Sequence, residues 1–121
     1  MLDSITPAEM TATAQTAEAY AALTCDYNPI HLDAEFAAAT AFGRPIAHGT
    51  MALNLLIQAI EQSCAEGGGL TALDIRFSAP AYIGDRLRAG GARTGADGDF
   101  EVWVDTEDGR RVLSGSARIG A

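Results

Sequence analysis

A carboxylate and an imidazole occur close together in residues 26–31, Asp-Tyr-Asn-Pro-Ile-His. Pro29 fixes its own backbone and keeps Asn28 out of the helical region, so this loop has a defined shape. On such a loop the Asp26 carboxylate can accept a proton from water while the His31 imidazole holds the same water. The spacing fits an ordinary turn equally well, with Asp26 as a cap and His31 as a partly buried polar group. Water activation is therefore one of two open interpretations at this point.

His48, Gly49 and Thr50 open a strongly apolar helical segment. The first amides of a helix have no partner inside the helix and lie at the positive end of its dipole. Gly49 lets a substrate oxygen approach the backbone, which makes its amide a candidate oxyanion hole for a substrate carbonyl. In the alternative interpretation, Gly49 only eases the turn into the helix and His48 is a local hydrogen-bonding residue. We assign His48, Thr50 and the turn residue Asn28 as candidate substrate-binding residues.

The first third of the chain is predicted to consist of helices and loops. Residues 16–23 are rich in alanine and have good helix propensity. The start of this helix is ambiguous. Thr6 resembles the first residue of a capping box that is followed by proline, whereas residues 9–13 could instead form a short strand. Asp33 is expected to cap a second short helix that runs through residue 39.

Residues 49–65 form the most informative predicted helix. Its polar side chains recur at helical spacing in one narrow stripe: Asn54, Gln58, Glu61 and Gln62. Apolar side chains cover most of the remaining circumference, and a helix of this kind is expected to be buried. Glycines at positions 67–69 then end it.

After these glycines the apolar residues no longer recur at helical spacing but occupy every second position, as in a strand with one buried face. Strands are predicted over residues 73–78, 85–93, 100–105 and 111–119. Asp97-Gly98 and Asp108-Gly109 are hairpin signals between successive strands, and Trp103 is expected on the face opposite the core. The result is an antiparallel meander wrapped around one buried helix. This α+β architecture is the hotdog fold.

The composition restricts the possible classes of protein. The 121 residues fit one domain, and 48% hydrophobic with 20% charged residues is typical of a globular protein. All eight basic residues are Arg and the formal net charge is −8, which argues against nucleic-acid binding. Two irregularly spaced cysteines predict neither a disulfide framework nor a zinc site. With neither a signal peptide nor a membrane span visible, we expect a cytoplasmic protein that does not bind a membrane.

The densest motif signal lies in residues 19–51. Residues 23–33, Leu-Thr-Cys-Asp-Tyr-Asn-Pro-Ile-His-Leu-Asp, followed by residues 36–42 and 44–49, resemble the signature of the MaoC-like (R)-specific enoyl-CoA hydratases. Residues 77–85 are similar to a further segment that is common in this family. The resemblance is specific, because several spaced elements recur in order.

The resemblance implies a single MaoC-like hotdog domain over residues 1–121. Such a domain hydrates a trans-2-enoyl thioester to the (R)-3-hydroxyacyl thioester, or catalyses the reverse dehydration. The resemblance places the catalytic carboxylate on Asp26, the catalytic imidazole on His31 and the oxyanion amide on Gly49. It also implies no metal and no cofactor, with coenzyme A or an acyl carrier present only as part of the thioester substrate, and a homodimer or higher homo-oligomer.

Three positions depart from the family pattern. The family usually has glycine just before the catalytic aspartate, where Cys25 adds volume. Thr50 replaces a frequent methionine, and Ile57 stands where several relatives carry a polar residue. Two other functions stay open: a hotdog acyl-CoA thioesterase, and a non-catalytic thioester-binding subunit of a hetero-oligomeric hydratase.

Overall fold

A computed structural model describes residues 2–64, 68–95 and 98–120 of the chain. Its helices are α1 (Ala14–Thr24), α2 (Pro29–Leu32), α3 (Ala34–Ala38) and α4 (Gly49–Ser63). Its strands are β1 (Ser4–Thr11), β2 (Gly69–Phe77), β3 (Arg86–Arg93), β4 (Asp99–Thr106) and β5 (Arg111–Gly120). The strands form one antiparallel sheet in the order β1-β3-β4-β5-β2, and α4 packs against it.

The N-terminal segment is a strand, so the helix start predicted at Thr6 is wrong and the alternative prediction of a strand is correct. This strand, β1, is longer than predicted and pairs with β3. Pro7 fits because β1 lies at the edge of the sheet and its register shifts around this residue. The cap of α1 is Thr13, whose side chain accepts a hydrogen bond from the Thr16 amide.

The other two predicted helices are confirmed, with small changes at their ends. The Asp33 carboxylate accepts hydrogen bonds from the amides of Glu35 and Phe36, at 3.0 and 3.2 Å, and α3 ends at Ala38. In α4 the four residues of the polar stripe are exposed, as predicted, and the helix ends at Ser63. Residue 65, its predicted end, and the glycine at position 67 lie outside the described residues.

The core lies between α4 and one face of the sheet. The buried face of α4 consists of Met51, Ala52, Leu55, Leu56, Ala59 and Ile60. Fully buried sheet residues oppose it: Leu87, Val102, Val104 and Leu113. Burial of one such side chain stabilises the fold by about 1.5–3 kcal/mol, so this contact fixes the N-terminus of α4 relative to the sheet.

The strand order corrects the predicted meander. Strands β3, β4 and β5 follow one another as expected, but β2 pairs with β5 at the far edge instead of with β3. Alternation specifies which face of a strand is apolar, not which strand is its neighbour. Because β2 is an edge strand, the apolar face predicted to lie in the core is only half-buried at Leu73 and Ile75, and Phe77 is exposed.

The turn chemistry and the outward face of β4 agree with prediction where they are described. Gly109 has φ 88° and its amide donates to the Thr106 carbonyl, which closes the β4–β5 turn. Asp97, in the other hairpin signal, lies outside the described residues. Trp103 is half-buried on the face opposite Val102 and Val104. Within the described ranges, no helix is both long and apolar enough to cross a membrane.

Candidate active site

The chain leaves α1 through a left-handed residue just before Asp26. Cys25 has φ 57° and ψ 30°, and the amides of Cys25 and Asp26 both donate to the Ala21 carbonyl. Residues other than glycine rarely adopt this conformation, because their Cβ crowds the backbone. Cys25, which replaces the family's usual glycine, is therefore a strained residue beside the predicted catalytic carboxylate.

We expect Cys25→Gly to raise the free energy of unfolding by about 1 kcal/mol, because glycine has no Cβ to crowd the left-handed backbone. Cys25→Ala is the matched control, since it removes the thiol but keeps the Cβ, and its stability should stay near that of the wild type. Urea unfolding followed by circular dichroism measures both values. Equal stability of the two variants would contradict strain at this residue.

Asn28 closes the loop that follows. Its side-chain oxygen accepts a hydrogen bond from the Ile30 amide at 3.1 Å, and its own amide donates to Asp26 Oδ1 at 3.3 Å. Pro29 is the first residue of α2, a position where no helical acceptor needs its missing N–H. These bonds leave Asp26 Oδ2 facing His31. A substrate-binding role for Asn28 stays a prediction.

His31 faces Asp26 through one ring nitrogen. Its Nδ1 lies 2.8 Å from the Ile46 carbonyl oxygen, and because a carbonyl only accepts, Nδ1 carries the hydrogen. In the neutral ring Nε2 is then an acceptor, and it lies 3.5 Å from Asp26 Oδ2. The His31 side chain is 10% exposed and that of Asp26 is 49% exposed. Two acceptors at this separation can each receive a hydrogen from one water molecule that enters from the open side.

His48 is buried behind this pair. Its Nε2 donates to the backbone carbonyl of Asp26 at 3.0 Å. Its ring stacks on that of His31, with centroids 3.9 Å apart and 25° between the ring planes. The residue is 3% exposed, and its Nδ1 has no hydrogen-bond partner among the described residues. Because Gly49 follows directly, all three predicted catalytic residues, Asp26, His31 and Gly49, adjoin His48.

The N-terminus of α4 opens into a mainly apolar cleft of about 370 Å³. His31, His48 and Gly49 contribute to its lining, and residues 77–81, at the end of β2 and beyond it, form a facing wall. A Cβ added at Gly49 would lie 3.4 Å from the ring of Phe77, so the glycine keeps the backbone accessible here. The structure thus brings the predicted oxyanion amide and the predicted imidazole into one cleft, with Asp26 beside it.

The wall of residues 77–81 carries no chemical signal in the sequence. It is held to the segment before α4 by the Ala47 amide, which donates to the Ala81 carbonyl at 2.7 Å, and by a bridge between Ile46 and Tyr82. Such backbone contacts can be made by almost any residue type, and only the weaker family likeness over residues 77–85 points to this segment. Thr50 is exposed and does not line the cleft, so its substrate-binding role stays a prediction.

Asp26, His31 and His48 each offer a ligand atom, and these atoms lie within 4.8 Å of one another. That spacing alone would admit a metal ion. His48 Nε2 already donates to a carbonyl, however, and stacked rings direct their nitrogen lone pairs side by side instead of toward one tetrahedral centre. The arrangement favours a hydrogen-bonded pair over a metal centre, and the expected absence of a metal stays a prediction.

A larger cleft, of about 540 Å³, lies over β2, β4 and β5. No histidine lines it, and its arginine, Arg118, pairs with Asp99 at 2.7 Å, while Asp74 and Glu101 add two further carboxylates to the lining. The smaller cleft at α4 is the better candidate active site, because it alone among these two combines an imidazole with a free helix N-terminus.

A long helix packed against a five-stranded antiparallel sheet, with a polar site at the helix N-terminus, defines the α+β hotdog fold that the sequence predicts. The chain belongs to the MaoC-like domain family, whose model matches residues 3–112.

Individual proteins similar to this chain include (R)-specific hydratases. The chain is 40% identical over 72 residues to an (R)-specific enoyl-CoA hydratase from Aeromonas caviae, a match that covers 59% of this chain and 54% of that protein. It therefore spans about half the length of this curated relative. The solved structure of an (R)-hydratase from A. caviae involved in PHA biosynthesis has a TM-score of 0.85 and 27% identity, covering 98% of this chain and 95% of that one. The solved structure of the R-hydratase PhaJ1 from Pseudomonas aeruginosa has a TM-score of 0.88 and 27% identity, and the match covers 100% of this chain and 81% of that one.

Proposed function

We propose that the chain catalyses reversible hydration of a trans-2-enoyl thioester, as its coenzyme A ester, to the (R)-3-hydroxyacyl thioester. One observation carries the proposal: two acceptors, Asp26 Oδ2 and His31 Nε2, lie 3.5 Å apart beside a mainly apolar cleft that begins at a helix N-terminus. The hydratases among its relatives support the same reaction. We propose that these residues act on water, because both atoms are acceptors and the Asp26 side chain is 49% exposed.

In the proposed mechanism the substrate carbonyl oxygen accepts a hydrogen bond from the Gly49 amide. One water molecule donates its hydrogens to Asp26 and His31, which leaves a lone pair of its oxygen free to face the β-carbon. The enoyl carbonyl gains negative charge as the β-carbon is attacked, and the positive end of the α4 dipole stabilises that charge. The apolar cleft keeps other water molecules away from the enolate.

The proton balance closes without a further reactant. The new carbon–oxygen bond forms as the pair of Asp26 and His31 takes a proton from water, and the double-bond electrons move to the carbonyl oxygen. The enolate then collapses, and the α-carbon receives the proton that the pair holds. The sum is addition of one water molecule, which is redox-neutral, so the proposed steps need no redox cofactor, and none of them uses a metal. Dehydration is the same path in reverse.

A homodimer in the cytoplasm, with neither nucleic acid nor membrane as a partner, completes the proposal. The edge strand β2 leaves one row of backbone groups without a strand neighbour in the described chain, and the exposed Phe77 lies at its end beside the cleft. Natural proteins cover such edges, and a second copy would cover this one.

The test is a panel of trans-2-enoyl-CoA esters of increasing chain length. We expect the absorbance of the conjugated enoyl thioester to fall on mixing with the protein, and chiral chromatography to identify the (R)-3-hydroxyacyl product. Free thiol is measured in parallel, with enzyme-only blanks because Cys25 is exposed. Stoichiometric thiol release would identify a thioesterase instead, and no turnover across the panel would refute a hydratase.

A further inference from the structure

His48 stands at the junction of the two halves of the proposed active site. Its Nε2–H holds the Asp26 carbonyl at 3.0 Å, although the two residues lie 22 positions apart in the chain. Its ring covers the ring of His31 at a centroid distance of 3.9 Å. It is also the residue that precedes Gly49, and its own carbonyl accepts from the Met51 amide to start α4. One side chain thus contacts the water-activating pair while its backbone sets the oxyanion amide.

Helix capping does not explain a histidine at this position. The residue before a helix usually has a side chain that accepts a hydrogen bond from the first amides, as Thr13 does for α1 and Asp33 for α3. The His48 side chain binds no α4 amide. It points to the loop of Asp26 instead, at the expense of a cap that Ser, Asn or Asp would provide.

Two neighbouring aromatic rings, those of His31 and Tyr20, restrict the motion of the His48 ring. His31 lies on one ring face, and Tyr20 of α1 lies 6.3 Å away between centroids, with 29° between the planes. The Asp26 carbonyl holds Nε2 in the plane of the ring. A ring fixed in this way prevents His31 from tilting and prevents the Asp26 backbone from moving away from α4.

We infer that His48 is a positioning residue that sets the distance between the Asp26–His31 pair and the Gly49 amide, and does not itself contact the reacting atoms. The inference rests on the proposed hydratase activity. Its physical basis is that a misplacement of about 1 Å between reacting groups can cost on the order of 100-fold in rate. The expected consequence is a loss in kcat with little change in KM, because the apolar cleft that binds the substrate stays in place.

Two variants of His48 separate the effect of its hydrogen bond to the Asp26 carbonyl from the effect of its side-chain volume. In His48→Gln the amide nitrogen is the same number of bonds from Cα as Nε2, so it can still donate to the Asp26 carbonyl. His48→Leu fills similar space without a donor. We expect kcat to fall about 100-fold in His48→Leu and to recover to within about 10-fold of the wild type in His48→Gln. Thermal melts of both variants report how much of each is folded.

A readout that needs no turnover distinguishes failure of this inference from failure of the proposed function. The chain has two histidines, so each variant leaves His31 as the single imidazole in a ¹⁵N-edited spectrum. We expect one sharp Nδ1–H tautomer in His48→Gln and broadened or mixed-tautomer signals in His48→Leu. Equal kcat per folded molecule in both variants, or identical His31 spectra, would overturn the positioning role. Absence of hydratase activity in the wild type would refute the proposed function, and the spectra would still decide whether His48 orients His31.

Discussion

Asp26→Asn is expected to lower kcat for hydration of an enoyl-CoA by about 100- to 10,000-fold, the range over which one positioned acid–base group contributes. The amide is nearly isosteric with the carboxylate but cannot take a proton from water. Because the Asp26 side chain is 49% exposed, the substitution should leave the fold nearly unchanged. Stopped-flow absorbance of crotonyl-CoA measures the loss. His31→Ala should show a loss of the same order, because the water then has only one acceptor.

Asp33→Asn is the matched control for this prediction. It makes the same change in charge at a nearby exposed carboxylate, and asparagine caps a helix about as well as aspartate, so α3 should be retained. Its activity should stay close to that of the wild type. An Asp26→Asn or His31→Ala variant that is folded and turns over at the wild-type rate would remove the basis for water activation by this pair.

Gly49→Pro is expected to lower kcat by a further 100- to 1,000-fold, roughly, relative to Gly49→Ala, the loss typical of removing one oxyanion donor. Proline has no N–H and is well tolerated in the first position of a helix. The residue before it, His48, has φ −61° and ψ 138°, a conformation that a following proline allows. The substitution should therefore delete the amide hydrogen while α4 is kept.

Gly49→Ala separates the effect of the amide from that of added bulk. It keeps the N–H and places a Cβ 3.4 Å from the exposed ring of Phe77, a contact that small movement of the ring relieves. Steady-state kinetics and thermal melts on both variants give the comparison. If alanine and proline reduce kcat equally, then crowding by Phe77 explains the loss and the Gly49 amide is not the oxyanion donor.

Local chemistry made much of the fold predictable. Asp33 caps α3, the polar stripe of α4 faces solvent, and Val102 and Val104 alternate inward, because each of these features depends on neighbours a few residues away. Pairing between distant segments decided the rest. The capping-box pattern at Thr6 yielded to pairing of β1 with β3, and β2 was placed beside β5 by contacts that alternation does not encode.

In the candidate site, too, some features follow from local sequence and others from contacts between distant segments. The types and spacing of Asp26 and His31 identify a possible catalytic pair, since Pro29 and Asn28 define the loop between them. The orientation of that pair depends on acceptors that the sequence does not mark. The Ile46 carbonyl selects the tautomer of His31, and other backbone atoms receive His48 and form the cleft wall. Every residue has a backbone carbonyl group, so the particular carbonyl that a side chain binds can be identified only in the folded structure.

The left-handed residue before Asp26 also gives the loop of residues 25–31 an attachment point for a spectroscopic label. The Cys25 thiol is exposed, whereas burial and, secondarily, the negative charge of Glu61 raise the pKa of the half-buried Cys64 thiol. Since the thiolate is the reactive form, alkylation near neutral pH should select Cys25 without removal of the other cysteine. A fluorophore there would report on changes in the surroundings of this loop when a ligand binds, with no substitution needed in the native sequence. A glycine at this position, as the family usually has, could not carry one.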